Sequence, residues 1–439
     1  MRREDKGDSY VKKRFSIWFG VLFVIYTLLI GWYLFFGANT ELPNVYKGTS
    51  ADPATFMNAR QLELSHEFSR IKSLIYFVSI PLEWGIYLFV LYFGLSRVFR
   101  NWSKGISRFS FVQIAIYVIL LMCINLILTF PLDYINYQVS QAYEISTQSF
   151  SSWMKDLFIS FWVSNLFMIL TVFVIYFFMN RKPKKWWLYA WLLSVPFTVF
   201  MMFIQPVVID PLYNDFYRLE DKQLEEKILS MASRADIPAE RVFEVDMSEK
   251  TNALNAYVTG IGSNLRIVLW DTTLNTLEDD EILFVMAHEM GHFVMHHLYF
   301  NLFASIFLSL IGLYIGAKLL KWAVARYGEK WGVSGINDIA SLPVLLLIFS
   351  LLSFLVGPIE NAVSRSAEND SDVYAIEMTE DPEAAIGAFQ ELTINGLSEV
   401  NPPGLVKFFR YGHPTMLERI HLLESYMPKE KEKMKAPSN

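Results

Sequence analysis

Long apolar runs alternate with shorter polar ones along this chain. Phe15–Phe36 carries no charged residue and is long enough to cross a bilayer. It exceeds the apolar core of about 7–15 residues of a secretory signal, so it reads as a retained span. Further apolar runs follow at about 73–95, 109–130, 157–179 and 187–208, then Tyr299–Leu320 and Ala340–Val356, giving seven predicted spans. The second contains Pro81 and Glu83; a carboxylate there faces protein or water, or sits near the interface against a neighbouring helix.

Between the fifth and sixth runs the periodicity changes. Residues 210–298 predict a water-facing part, with a polar helix over Lys222–Ala235 and strand-like stretches at Arg241–Met247, Asn255–Ile261 and Leu265–Trp270, rich in β-branched and aromatic residues. A helix then runs through His288, with Thr276 and Asp279 as a capping box and Glu278, Asp279, Asp280 and Glu281 on its positive dipole end. Beyond the seventh run the chain turns polar again. One helix is predicted through Glu368 and Asp372, another from Asp381-Pro382 with proline in the first turn, and a last one from about Pro414.

The expected fold is therefore a mainly α membrane protein: an N-terminal region of five spans over 1–209, a small α+β part over 210–298, two spans over 299–358 and a helical C-terminal part over 359–439. Composition agrees. The chain of 439 residues is 53% hydrophobic and 19% charged with a mean hydropathy of +0.29, against about 25% charge in soluble globular domains. A formal charge of −6, small and mixed, gives no nucleic-acid footprint. The single cysteine, Cys123, excludes an internal disulfide framework and a cysteine metal site.

The candidate chemistry is His288-Glu289-Met290-Gly291-His292, an H-E-x-x-H pattern. On a helix, residues four apart stand one above the other, so both imidazoles can reach one zinc ion while Glu289 lies beside it as a base for water. A catalytic zinc needs a third protein ligand. His296 lies about 12 Å along the axis from His288 and cannot share its metal; neither can His297, and both read as polar residues at the membrane-proximal end. Glu368, with Asp372 one turn further, could complete a His, His, Glu set, although alone this acidic run reads as an ordinary helix start. Donors for a tetrahedral oxyanion would come from His413 or Arg419, and His413 could equally be a structural histidine before Pro414. Asn255 and Ala256 could offer backbone groups to an extended peptide.

These residues resemble the type I CAAX prenyl proteases, integral-membrane zinc metallopeptidases. The likeness is carried by Asn255-Ala256-Tyr257, by Arg266–Thr272, by the His288–His292 motif, by Ser364-Arg365 with Glu368 and Asp372, by His413-Pro414 with Glu418-Arg419, and by Asp210–Asn214. Ser371 departs from the family's alanine, which touches local packing alone. The resemblance implies seven spans ringed around an intramembrane chamber. It also implies one zinc held by His288, His292 and Glu368, with Glu289 as base and Asp372 as an acid or as a residue behind the ligands. The expected activity is metalloendopeptidase cleavage of hydrophobic or prenylated, CAAX-type peptides. Two alternatives remain: quality control of misfolded membrane proteins, and a catalytically silent membrane scaffold, against which the intact Glu289 argues.

Charge predicts orientation in what would be a cell membrane. The N-terminal arm, Arg97–Arg108, Arg181–Lys185 and Lys321–Lys330 are short, basic and fall on one side of seven spans, which places the zinc domain on the extracytoplasmic side. The resemblance to eukaryotic members implies the cytosolic side instead.

Overall fold

The computed structural model describes residues 2–260 and 265–427; Ile261, the predicted end of one strand, lies outside them. The helices are α1 (Arg2–Trp32), α2 (Ala59–Tyr92), α3 (Leu95–Ile106), α4 (Ser110–Ala142), α5 (Phe150–Arg181), α6 (Trp186–Ile204), α7 (Lys222–Arg234), α8 (Asp271–Thr276), α9 (Asp279–Val294), α10 (His297–Trp331), α11 (Leu342–Thr379), α12 (Pro382–Gly396), α13 (Gly404–Arg410) and α14 (Met416–Glu424). The strands are β1 (Phe216–Arg218), β2 (Val242–Val245), β3 (Ala256–Thr259) and β4 (Arg266–Trp270).

Among the described residues seven helical stretches are long and apolar enough to cross a membrane, built on α1, α2, α4, α5, α6, α10 and α11. This is a multi-pass membrane protein. Several helices outrun their apolar runs. α2 starts at Ala59, well ahead of the apolar run that begins near residue 73, and Asn58 and Gln61 form a capping box there. α11 continues without a break from the seventh apolar run through Glu368 and Asp372 to Thr379, with Pro358 inside it. Contacts run from α2 to α4, α5, α6, α10, α11 and back to α2, a closed cycle of six, with α1 laid against α2. Phe19 of α1 occupies the place of a side chain at Gly85, its ring carbon 2.2 Å from where a Cβ would stand. Seven spans thus pack together as expected, six of them closing a cycle that α1 joins along α2.

Glu83 is resolved by its partners at the seam of α2 and α11. Its carboxylate accepts from Tyr87 Oη at 3.0 Å and Ser350 Oγ at 2.9 Å, and Trp84 Nε1 donates to Ser350 at 3.1 Å. Inside a span each of these polar groups needs such a partner.

The water-facing part is a four-stranded sheet in the order β1-β2-β4-β3, β2 and β4 parallel and the rest antiparallel. β1, three residues long, carries too little pattern to be read from sequence. Its core joins Leu219, Ile228, Val242, Ile267, Leu269, Phe284 and Met290 to Ala375, Phe389, Ile420 and Leu423. The two polar pieces separated by the last two spans therefore share one core. The start of α9 differs from expectation: Glu278 is the N-cap and boxes with Glu281, while Thr276 ends α8. A carboxylate at the cap also meets the dipole, which favours this frame over the threonine.

Candidate metal centre and active site

α9 and α11 share the most extensive contact between elements in the protein. Gly291 permits it, since a Cβ there would lie 3.1 Å from the Tyr374 ring and 3.3 Å from Ser371 Cα. Ser371 is fully buried at this crossing, and its hydroxyl has no hydrogen-bond partner. The close approach sets Glu368 against the two motif histidines. His288 Nε2 stands 3.2 Å from His292 Nε2 and 3.2 Å from Glu368 Oε2, and His292 Nε2 is 3.3 Å from Glu368 Oε1.

These spacings test the donor set directly. Ligands at about 2.0–2.1 Å from a tetrahedral zinc stand about 3.3 Å from one another. The three residues offer one donor atom each within 4.8 Å of the others. Glu368 Oε2 is buried and forms no aligned hydrogen bond, which leaves its lone pairs open to a cation. The residues fit zinc. Burial opposes a charged His288, but Asp372 and Glu368 outweigh it and push the imidazole up to about 9, the mark of a pocket that demands positive charge.

Behind each histidine stands a second group. Asp372 Oδ1 accepts from His288 Nδ1 at 2.8 Å. Arg419 forks onto the same carboxylate, Nε to Oδ2 at 2.8 Å and Nη2 to Oδ1 at 2.6 Å, and stacks on Phe389 at 4.1 Å. Burial works against the charge on Arg419, and the Asp372 carboxylate more than offsets it. His292 Nδ1 lies 3.0 Å from His297 Nδ1. His296, expected to be remote, is exposed and takes the left-handed conformation at φ 60°, which histidine tolerates better than most residues. That turn swings His297 back onto His292, a contact the sequence did not show, and leaves His296 on the surface.

Glu289 borders a cavity of about 460 Å³ together with His288, Asn255, Ala256 and His413. Burial raises its carboxyl above the ordinary range, against the pull of His288 and His292. His413 Nε2 is 3.3 Å from Glu368 Oε1, with 65% of its side chain exposed. Its loop is tied down by Arg365 Nη1, which donates to Tyr411 O at 2.7 Å, and by Thr415, which caps α14 in a box with Glu418. Arg365 of the Ser364-Arg365 pair thus braces this loop.

The edge strand corrects one expectation. Asn255 N donates to Thr273 Oγ1 at 2.8 Å, and Asn255 O accepts from Trp270 N at 3.1 Å and from Thr273 Oγ1 at 2.8 Å. Its backbone is committed inside the protein. Pairing alternates along an antiparallel ladder, so Ala256, opposite Leu269, turns its N–H and C=O away from β4 toward the free edge, as does Val258 two residues on.

Comparisons with known proteins place this site in company. The chain matches a family described as CAAX prenyl protease N-terminal, five membrane helices, over residues 38–215, and Peptidase family M48 over 218–427. It is 51% identical to the uncharacterized metalloprotease YhfN of Bacillus subtilis over 405 residues, 92% of this chain and 95% of that one. It is 29% identical to CAAX prenyl protease 1 of Saccharomyces cerevisiae over 63% of this chain and 66% of that protein. Among solved structures, S. mikatae Ste24p superposes with a TM-score of 0.77 at 22% identity, covering 94% of this chain and 98% of its own, a likeness of fold.

Proposed function

This chain belongs to peptidase family M48, zinc-dependent metalloproteases, and from that premise we propose that it hydrolyses hydrophobic or lipid-modified peptides presented at the membrane. The observation that carries the reading is the convergence of His288, His292 and Glu368 at 3.2–3.3 Å on the wall of a cavity that Glu289 and the free edge of β3 also line. One ligand, Glu368, stands on a helix that is itself a membrane span, so the site sits where a membrane-bound substrate arrives.

His288, His292 and Glu368 would hold the metal. Zinc, when bound, supplies a Lewis acid that lowers the pKa of water and polarises the scissile carbonyl. Glu289 takes the proton of the attacking water and delivers it to the departing amine. Asp372 keeps the proton of His288 on Nδ1, leaving Nε2 free to ligate, and Arg419 holds Asp372 charged; both are positioning residues by their contacts. His297 plays the corresponding part for His292. Arg419, spent on Asp372, leaves His413 as the oxyanion donor. Ala256 and Val258 add the substrate as a strand.

The test is purified protein against one hydrophobic peptide made with and without a prenyl group. Cleavage is expected to stop with chelation and return with zinc, and prenylation is expected to raise kcat/KM about tenfold or more, since each buried CH₂ adds about 0.8 kcal/mol. Equal rates on the two peptides would remove the lipid preference and leave the peptidase.

We further propose that the site is extracytoplasmic in a cell membrane. The basic segments supporting this gather at one end of the bundle: Arg100 of α3 pairs with Asp338 at 2.5 Å and Gly332 O at 3.0 Å, and Asn337 donates to Asn180 at 3.0 Å. At the other end Thr147 and Asp156 meet Ser248 and Lys250 of the sheet part. In a Cys123→Ala background, a cysteine replacing Glu240 is expected to react with an impermeant maleimide on intact cells, and one replacing Lys184 to be protected. The reverse pattern overturns the orientation.

A further inference from the structure

The cavity that holds His288 and Glu289 is also lined by Arg410, at the end of α13. Arg419, the other cation lining it, has Asp372 at 2.6 Å, and Arg70 reaches Glu399 of the cavity wall at 3.4 Å. Among the described residues no carboxylate comes within ion-pair distance of Arg410. Its Nη1 donates to Ser73 Oγ at 2.7 Å, and its guanidinium lies 5.3 Å over the Tyr76 ring. Lys72, the residue before Ser73, bonds to Asn136 and Ser140 and likewise has no carboxylate partner there. Glu399, an acid on the cavity wall, is already engaged by His66 at 2.8 Å and Arg70.

Withdrawing a guanidinium from water without a counter-charge is unfavourable, and burial here pulls Arg410 below its ordinary pKa. Lys72 adds to the positive field around it. Such an arrangement persists where an anion completes it. Chain spacing limits how far that anion sits from the metal site. Arg410 precedes His413 by three residues, which bounds their Cα separation at about 10–11 Å, and His413 touches Glu368. An extended peptide rises about 3.4 Å per residue, so a few substrate residues connect the bond held at Glu289 to the Arg410 guanidinium.

We propose that Arg410, supported by Lys72, is a specificity residue that receives a carboxylate of the substrate, the α-carboxylate of a chain cut a few residues from its C-terminus. The site takes a carboxylate; an acidic side chain at the same distance is the other source of that chemistry. The proposal rests on reading this cavity as the peptidase site.

The experiment uses full-length protein in detergent with zinc and three versions of one hydrophobic peptide: free acid, C-terminal amide, and amide with glutamate as the last residue. Wild-type protein is expected to cleave the acid with kcat/KM about 10–100-fold above the amide, the range for a charge-assisted hydrogen bond. Most of that difference is expected in KM. In Arg410→Gln, which keeps a donor for Ser73, the acid-to-amide ratio is expected to fall to near one, and Arg410→Lys to restore part of it. Recovery of the glutamate peptide assigns the site to carboxylates of either source; its failure assigns it to the α-carboxylate. A wild-type ratio near one, or an unchanged ratio in Arg410→Gln, overturns the proposal while leaving the peptidase reading intact. Absence of chelator-sensitive cleavage of every peptide instead strikes at the peptidase reading. Should Arg410→Gln fail to fold, Arg410→Lys decides: a ratio equal to wild type overturns the proposal, and a reduced one supports it.

Discussion

Glu289→Gln is expected to abolish peptide hydrolysis while metal content and thermal melting stay at wild-type values. Glutamine keeps the size and hydrogen-bonding reach of the side chain and removes its ability to take a proton. Glu289 lines the cavity but belongs to neither the converging trio nor the pairs behind it. A general base contributes about 10²–10⁴ in rate. Here the loss should reach the top of that range, because the same carboxyl both accepts the water proton and returns it to the amine. Its burial favours proton uptake relative to a surface glutamate, which suits a group that must be charged before the step and protonated within it. Turnover of any cleavable peptide, read beside zinc content, checks the role. Near-wild-type turnover would sink it.

The parts of this protein legible in sequence are those written in short periods. The apolar runs, the four-residue spacing of His288 and His292, and proline after Asp381 depend on neighbours within a turn or two. What stayed hidden depends on elements far apart in the chain. Glu368 was a plausible ligand only by its company, since an acidic helix start is common; what distinguishes it is Gly291, whose missing Cβ lets α11 close onto α9. Asn255 looked like the strand residue for substrate because the ladder's alternation, fixed by pairing with Trp270 and Thr273, is invisible without β4. Arg419 looked like an oxyanion donor until Asp372 was seen to take both of its inward faces. A straight helix would carry His297 away from His292. The chain is not straight there, because His296 turns it. A histidine pair directly after a motif helix was the one signal that could have pointed to it.

The second large effect concerns the metal. Glu368→Ala removes one of three donors, and the two imidazoles left at 3.2 Å make a site short of the number catalytic zinc requires. The variant is expected to lose zinc on dialysis under conditions where wild-type protein keeps it. It also strips His288 and His292 of a negative neighbour, so the imidazoles no longer gain from a cation between them. His297→Ala leaves the donor set whole and removes only the group that fixes the His292 ring through Nδ1. Its zinc affinity is expected to fall about 10–100-fold, the usual effect of a partner behind a ligand. His296→Ala, exposed and pointing elsewhere, should bind zinc as wild-type does. A competition titration with a chromophoric chelator ranks all three without reference to activity. Full occupancy in Glu368→Ala would remove Glu368 from the ligand set. Equal affinities for the His296 and His297 variants would reduce the 3.0 Å contact to packing.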